Sequence, residues 1–365
     1  MIGSAMRSRA GLPLLLSLAT SPVGVAAQDS FSGVDRIVAV GDVHGDFNQF
    51  VTVLRQAGVI DSRNRWIGGR THLVQTGDVP DRGPDTRKVM DLLMDLTPDA
   101  EKAGGRVHAL IGNHEVMNVL GDLRYVTRDE YLAFMTFGSE TRRDRAFAAM
   151  ADPARRNDAE YQRQWMAEHP LGWVEHRLAF EGKGRYGAWI GKNNALVKID
   201  DYVFLHGGIG PKYLGKSIAE LNAAIRKSLE ARGADPGIAE DGDGPLWYRG
   251  LANGDEAALA DHVDQVLATL GVKHIVIGHT VAPTVLPRHG GKVIMIDVGL
   301  SAVYGGPPTC LVIEHGKPYT LHRGEKLELP IGGDLLPYLR AAAALDPPPS
   351  RIQKVIDQLT GSNPP

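Results

Sequence analysis

Asn113 and His114 stand just beyond an apolar run, Val107, Ala109, Leu110 and Ile111, with Gly112 between. A strand that ends in glycine and then presents an amide oxygen and an imidazole is shaped to hold a metal and to move a proton. Two earlier phrases repeat the layout: the run 37–41 ends in Asp42-Val43-His44-Gly45-Asp46, and the run 73–77 ends in Asp78-Val79-Pro80-Asp81-Arg82-Gly83. Two later runs end in His206-Gly207-Gly208 and Gly278-His279-Thr280. Core packing asks for no polar residue at these five places, so they call for a shared cause. Glycine beside each ligand lets backbones approach closely. Asp42 and His44, two apart in an extended segment, would face one side and grip one ion together.

Carboxylates, imidazoles and an amide, without a thiolate, suit Mn, Fe or Zn rather than an oxygen-liganded Ca or Mg site or a structural zinc knot. Asp42, His44, Asp78, Asn113, His206 and His279 are too many for one catalytic ion with an open position, and they suit two ions about 3.5–4 Å apart. The expected partition gives Asp42, His44 and a bridging Asp78 to the first ion, and Asp78, Asn113, His206 and His279 to the second. A water bridging such a pair becomes hydroxide near neutral pH, and an oxyanion substrate is clamped. The reaction class expected is hydrolysis of a phosphate ester by in-line attack. Arg82 and Arg249, with Asn113 beside them, offer donors to phosphoryl oxygens. His114 is expected to protonate the leaving oxygen, with Asp81 orienting its ring and favouring its charged form.

These residues need elements to carry them. Asp46 with Gln49 three residues on opens a helix whose Phe47, Phe50, Val51 and Leu54 share a face up to Gly58. Residues 73–76 read as a second strand, 85–96 as a second helix and 106–111 as a third strand. Such units predict a largely parallel sheet with ligands at the C-terminal strand ends. A helical insertion of about 120–185, with helices near 128–137, 141–150 and 159–168, is expected to lie over the site as a cap. Strands resume at 195–199 and 202–206. Ser217 and Glu220 form a capping box for a helix carrying Ile218, Leu221, Ile225 and Leu229 on one face and stopped by Gly233. A further helix over 256–270 ends at Gly271, and strands follow at 274–277, 293–296 and 310–313, with 318–322 as an edge strand. Asp297 is either a partner for a metal-bound imidazole or a turn carboxylate.

Residues 1–27 carry Arg7 and Arg9, an apolar run 12–18 and then Val25-Ala26-Ala27, the layout of an export signal cleaved after Ala27. Pro13, Pro22 and Gly24 leave too little apolar length for the roughly 20 residues that span a bilayer, so a periplasmic or secreted chain without stable membrane insertion is expected. The catalytic domain is expected over 28–345, and a Pro-rich tail that carries little signal over 346–365. The single cysteine, Cys310, lies in an apolar run and reads as a buried strand thiol. A formal charge of −3 and a pI near 6.5 argue against a nucleic-acid surface.

In order and spacing, Gly41-Asp42-Val43-His44-Gly45, Gly77-Asp78-Val79-Pro80-Asp81-Arg82-Gly83, Gly112-Asn113-His114-Glu115, His206-Gly207-Gly208 and Gly278-His279 resemble the signature of the phosphoprotein-phosphatase family within the calcineurin-like metallophosphoesterases. The resemblance runs from about residue 35 to 310. It implies an α/β fold, an αββα sandwich of two mixed sheets flanked by helices, and the same roles for the ligands, His114, Asp81 and Arg82. Asn118-Val119-Leu120-Gly121-Asp122-Leu123-Arg124-Tyr125-Val126, and Gly184-Arg185-Tyr186-Gly187 with Trp189, resemble the Shewanella-like protein phosphatases. That branch implies activity on phosphotyrosine, alone or with other phosphoesters, in a protein or a small molecule. Pro80 and the phrase Ser301-Ala302-Val303-Tyr304 depart from the pattern of the eukaryotic Ser/Thr enzymes, although Tyr304 would still sit near the metals. Two other readings keep the same ligands: a hydrolase of phosphoanhydrides such as diadenosine tetraphosphate, and a metal-binding protein without catalysis.

Overall fold

A computed structural model of the chain describes residues 27–231 and 237–361. The leader expected over 1–27 lies outside them save for Ala27, as does the helix stop expected at Gly233.

The chain runs β1 (Ser30–Phe31), β2 (Arg36–Val40), α1 (Phe47–Gln56), β3 (His72–Gln75), α2 (Thr86–Lys102), β4 (Arg106–Ala109) and α3 (Asn113–Leu120). The insertion supplies α4 (Arg128–Ala133), α5 (Ser139–Met150), α6 (Ala159–Glu168), α7 (Trp173–Phe180) and α8 (Arg185–Ile190). Then come β5 (Leu196–Ile199), β6 (Tyr202–Leu205), α9 (Ile218–Glu230), α10 (Gly250–Asn253), α11 (Ala260–Leu270), β7 (His274–Ile277), β8 (Leu286–Arg288) and β9 (Val293–Met295). The chain closes with β10 (Thr309–Glu314), β11 (Lys317–His322), β12 (Glu325–Glu328), α12 (Leu335–Leu345) and α13 (Gln353–Thr360).

The strands form two mixed six-stranded sheets, ordered β1-β5-β6-β7-β9-β8 and β12-β11-β10-β2-β3-β4. Each holds three parallel neighbours: β2, β3 and β4 in one, β6, β7 and β9 in the other. One continuous apolar core joins strands of both sheets and the helices upon them, from Ile37 and Leu73 to Val203, Ile275 and Ile294. Parallel strands buried in this way read as unbroken apolar runs, which is why they stood out in the sequence. Local signals also hold where they were strong. The Asp46 side chain accepts the Gln49 N–H at 3.0 Å to start α1, and Ser217 and Glu220 close a capping box on α9. Cys310 is buried in β10, and burial pushes its thiol up to about 12.

Four features differ from the sequence reading. Helix α2 continues through Pro98 to Lys102; Pro98 is exposed while Leu96 and Ala100 stay buried, so the apolar face carries the helix past the lost hydrogen bond. Strand β11 is not an edge, because β12 pairs with it and takes that place. The sequence of β12, Glu-Lys-Leu-Glu, is too polar to read as a strand, yet its charges suit an exposed edge. Short β1 and β8 gave no signal either. Finally, the Pro-rich tail, which gave little signal, contains α13, which packs on α12 and whose approach buries Ile352 (0% exposed) and Ile356 (6%).

Ile352→Ala is therefore expected to lower stability by about 2–5 kcal/mol, seen as an earlier midpoint in urea unfolding. An unchanged midpoint would mean that the tail is not part of the core.

Candidate metal centre

Every predicted ligand follows the C-terminal end of one of the parallel strands: Asp42 and His44 after β2, Asp78 after β3, Asn113 after β4, His206 after β6 and His279 after β7. The two triplets meet there, and all six side chains are brought together and buried, none more than 6% exposed. Close approach depends on glycine. A Cβ on Gly278 would fall 2.5 Å from Asp42 Oδ1, and one on Gly112 would fall 2.4 Å from Asp78 Oδ1.

The loops are strained as well as tight. Backbone φ is positive at His44, Asp78, Asp81, Arg82 and His279, a conformation that costs non-glycine residues about 1–3 kcal/mol each and gathers at functional sites. Thus Asp42 and His44 do not converge through an extended segment. His44 is turned by a left-handed backbone (φ 44°), while the N–H groups of Val43 and His44 both donate to Asp78 O at 3.0 Å.

Asp78 lies at the centre. Its Oδ2 is 3.2 Å from His206 Nε2, 3.7 Å from His114 Nε2 and 3.9 Å from His44 Nε2. Donor atoms of His44, Asp78 and His114 fall within 4.8 Å of one another, as do those of Asp78, His206 and His279, so Asp78 is common to both clusters. The first cluster differs from expectation by one member. Asp42 Oδ2 stands 4.0 Å from His44 Nε2, its other oxygen accepts the His279 N–H at 3.1 Å, and its carboxyl also hydrogen-bonds Asp297. Asp297, whose Oδ1 accepts the Gly299 N–H at 2.8 Å, is thus a turn carboxylate that supports an aspartate, not an imidazole.

Does this set fit metal ions? The Nδ1 atoms of His44 and His206 face the carbonyls of Pro80 (3.1 Å) and Thr76 (3.0 Å). A carbonyl can only accept, so each Nδ1 carries its proton and Nε2 is turned to the centre, the usual outer arrangement of a metal-bound histidine. His206 Nε2 meets two acceptors, Asp78 Oδ2 and, at 2.8 Å, Asn113 Oδ1. Buried His279 Nε2 has no hydrogen-bond partner. Electron-rich atoms converging around buried carboxylates require positive charge between them, which is what a cation supplies.

The pKa directions agree. Burial pushes His44 down to about 3 despite Asp78, and burial with His206 pushes His279 down to about 2; both are neutral, as ligands must be. Burial works against the charge of Asp78, but His206 and His114 outweigh it and hold the carboxyl well below its ordinary value. Asp42 runs the other way: burial, Asp297 and Asp78 raise it, an effect that a cation at the centre opposes.

The proton-moving pair forms too. His114 Nδ1 hydrogen-bonds Asp81 Oδ2, and Asn118 Nδ2 donates to Asp81 Oδ1 at 2.9 Å. Burial opposes charge on His114, but Asp78 and Asp81 prevail and raise it above the ordinary imidazole value. Arg82 lies between the rings of Tyr125 (4.4 Å) and Tyr304 (5.5 Å), with its Nε buried and unpartnered. Arg249 donates to His279 O at 2.6 Å and Thr280 Oγ1 at 3.0 Å. Both arginines line a cavity of about 90 Å³ with Asp42, Asp78, Asn113 and His114. A hollow of about 380 Å³ beside Glu314 and Tyr319 brings no such convergence, so the smaller cavity is the site. From the insertion only Tyr125 reaches the lining; α4 and α7 pack against α2 and α3 instead. The cap expected over the site is thus confined to the loop ahead of α4.

Glu115, given no role from sequence, is 2% exposed and accepts the N–H groups of Gly112, Asp78 and Val79 at 2.8–2.9 Å. It ties two ligand loops together, and burial beside Asp78 raises its pKa to about 7. Its place directly after His114 was the only available signal.

A buried cluster pair sharing one aspartate, with arginines and a carboxylate-held histidine at its mouth, defines a metal-dependent phosphoesterase. The chain belongs to the calcineurin-like phosphoesterase family, whose model matches residues 35–283. It is 34% identical over 285 residues to an uncharacterized protein of Schizosaccharomyces pombe, covering 76% of each chain. It is 30% identical over 295 residues to Shewanella-like protein phosphatase 2 of Arabidopsis thaliana, covering 75% of this chain and 73% of that one. The solved cold-active protein-tyrosine phosphatase of a psychrophilic Shewanella species superposes with a TM-score of 0.64 at 29% identity over 83% of each chain. The fold of two mixed sheets flanked by helices and the hydrolysis of phosphoesters follow from these likenesses.

Asp78→Asn removes the charge that both clusters share. The unaltered protein is expected to bind two ions per chain by elemental analysis and to melt higher with Mn²⁺, and the variant to bind one or none and to lose that rise.

Proposed function

We propose that this chain is an exported phosphomonoesterase acting on phosphoproteins, with a preference for phosphotyrosine. The observation that carries the reading is the Asp81-held His114 ring beside the shared Asp78, facing a cavity that Arg82 and Arg249 also line. Two metal ions, Mn, Fe or Zn by ligand type, would be held by Asp42, His44, Asp78, Asn113, His206 and His279. When bound, they supply Lewis acidity toward the phosphoryl group and the attacking water. Arg82 and Arg249 bind and orient the phosphoryl oxygens. Asp81 accepts a hydrogen bond from His114 Nδ1–H and fixes the ring, so that Nε2 delivers its proton to the leaving oxygen.

Three things support the finer reading. The mouth is aromatic, with Tyr125, Trp247 and Tyr304 along its lining, and a phenyl phosphate stacks favourably on such walls. The likeness to a protein-tyrosine phosphatase is spread over most of the chain. Export rests on residues 1–27, whose charged start, apolar run and small residues before Gln28 have the layout of a cleaved signal.

The deciding assay compares phosphotyrosine, phosphoserine and phosphothreonine peptides and diadenosine tetraphosphate, using the mature chain with Mn²⁺. Phosphotyrosine peptide is expected to have the highest kcat/KM, and cleavage of the dinucleotide alone would reject the proposal. His114→Asn is expected to lower kcat on the peptide by about 10²–10⁴ with little change in KM. N-terminal sequencing of the protein from the periplasm or medium is expected to begin at Gln28; a full-length chain in the cytoplasm would reject export.

A further inference from the structure

Asp81 and Arg82 occupy consecutive left-handed positions, φ 73° and 68°, and neither is glycine. Such a pair persists only if its surroundings hold it. Its two amides are both held by one short segment of the insertion: Asp81 N–H donates to Glu130 Oε1 at 3.3 Å, and Arg82 N–H donates to Tyr125 O at 3.1 Å.

Glu130 is suited to the task by the way α4 begins. Thr127 Oγ1 accepts the Glu130 N–H at 3.2 Å and so caps the helix start. Fixed in the first turn by that cap, Glu130 carries its carboxyl to the catalytic loop. Its side chain is fully buried, and among the described residues no arginine or lysine pairs with it. His176, the nearest ring at 3.9 Å from Oε1, is held neutral by burial.

The geometry points to Glu130 as a positioning residue for phosphoester hydrolysis: by fixing the Asp81 backbone from within the insertion, it keeps Asp81 aimed at His114. This rests on the reading of His114 as the general acid. Burial and the neighbouring Asp81 push Glu130 up to about 8, so near neutral pH it is a neutral acceptor, and glutamine is its close mimic.

The test uses leaving groups. A 2,4-dinitrophenolate departs without a proton, whereas a phenolate needs one, so a misaimed acid slows only phenyl phosphate. Glu130→Ala, and Glu130→Leu as a variant that fills the buried volume, are expected to lose at least about tenfold in kcat on phenyl phosphate, within the range that general acids contribute. Their KM and their rate on 2,4-dinitrophenyl phosphate should stay within about threefold of the unaltered enzyme, and Glu130→Gln should match it on both substrates. Equal losses on both substrates, no loss on either, or a Gln variant as impaired as Leu would overturn the assignment. His114→Asn is run alongside. If it shows the leaving-group split and the Glu130 variants do not, Glu130 alone is wrongly assigned; if it shows no split, the general-acid reading falls and takes this inference with it.

Discussion

The structure turns on burying one carboxylate, Asp78, 2% exposed, among groups that must stabilise its charge. Desolvation of an isolated carboxylate is costly enough to neutralise it, yet the imidazoles of His206 and His114 keep Asp78 well below its ordinary value despite burial. Its carboxylate neighbours respond in the opposite sense: Asp42, Glu115 and Asp297 are all raised, burial being the largest cause in each. One aspartate keeps the charge, and the others accept hydrogen bonds or share protons around it. That division makes Asp78 the member common to both ligand clusters.

The backbone is bent to serve this centre. Two parallel strand triplets, one in each sheet, bring their C-terminal ends to a single place, and each strand end turns through glycine or a left-handed residue. The cost of several such residues is met by hydrogen bonds from outside each loop. Asp78 O takes two amides of the preceding loop, Glu115 takes three amides from two loops, and Glu130 and Tyr125 take the amides of Asp81 and Arg82. The insertion matters here less as a lid than as a brace. Its α5 and α6 share a small apolar cluster of their own, Phe147, Ala151 and Trp165, whereas α4 reaches the catalytic loop.

The ligand inventory was legible in the residue order because each ligand sits directly after a buried strand, where periodicity ends in glycine and a polar residue has no packing reason to be. All six ligands, His114, Asp81 and both arginines gather at one place, with His206 and Asp81 buried behind the cavity that the others line. The long apolar strands and the capped helices α1 and α9 were legible for the same reason, since their signals lie within a few residues. Strands β1, β8 and β12, the reach of α2 past Pro98, and the packing of α13 were not, because each is decided by a distant neighbour that covers or pairs it.

Residue order by itself determined the chemistry: which donors exist, that they are imidazoles and carboxylates without thiolate, and that each follows a strand. Tertiary structure alone decided their relations: Asp78 as the shared member, Asp297 behind Asp42, Glu115 and Glu130 as braces, and Tyr125 as the insertion's sole reach into the cavity. The physical reason is range. Side-chain identity and strand periodicity are local properties, whereas the sharing of charge and the holding of strained amides depend on groups dozens to hundreds of residues apart, brought together only when the two sheets pack.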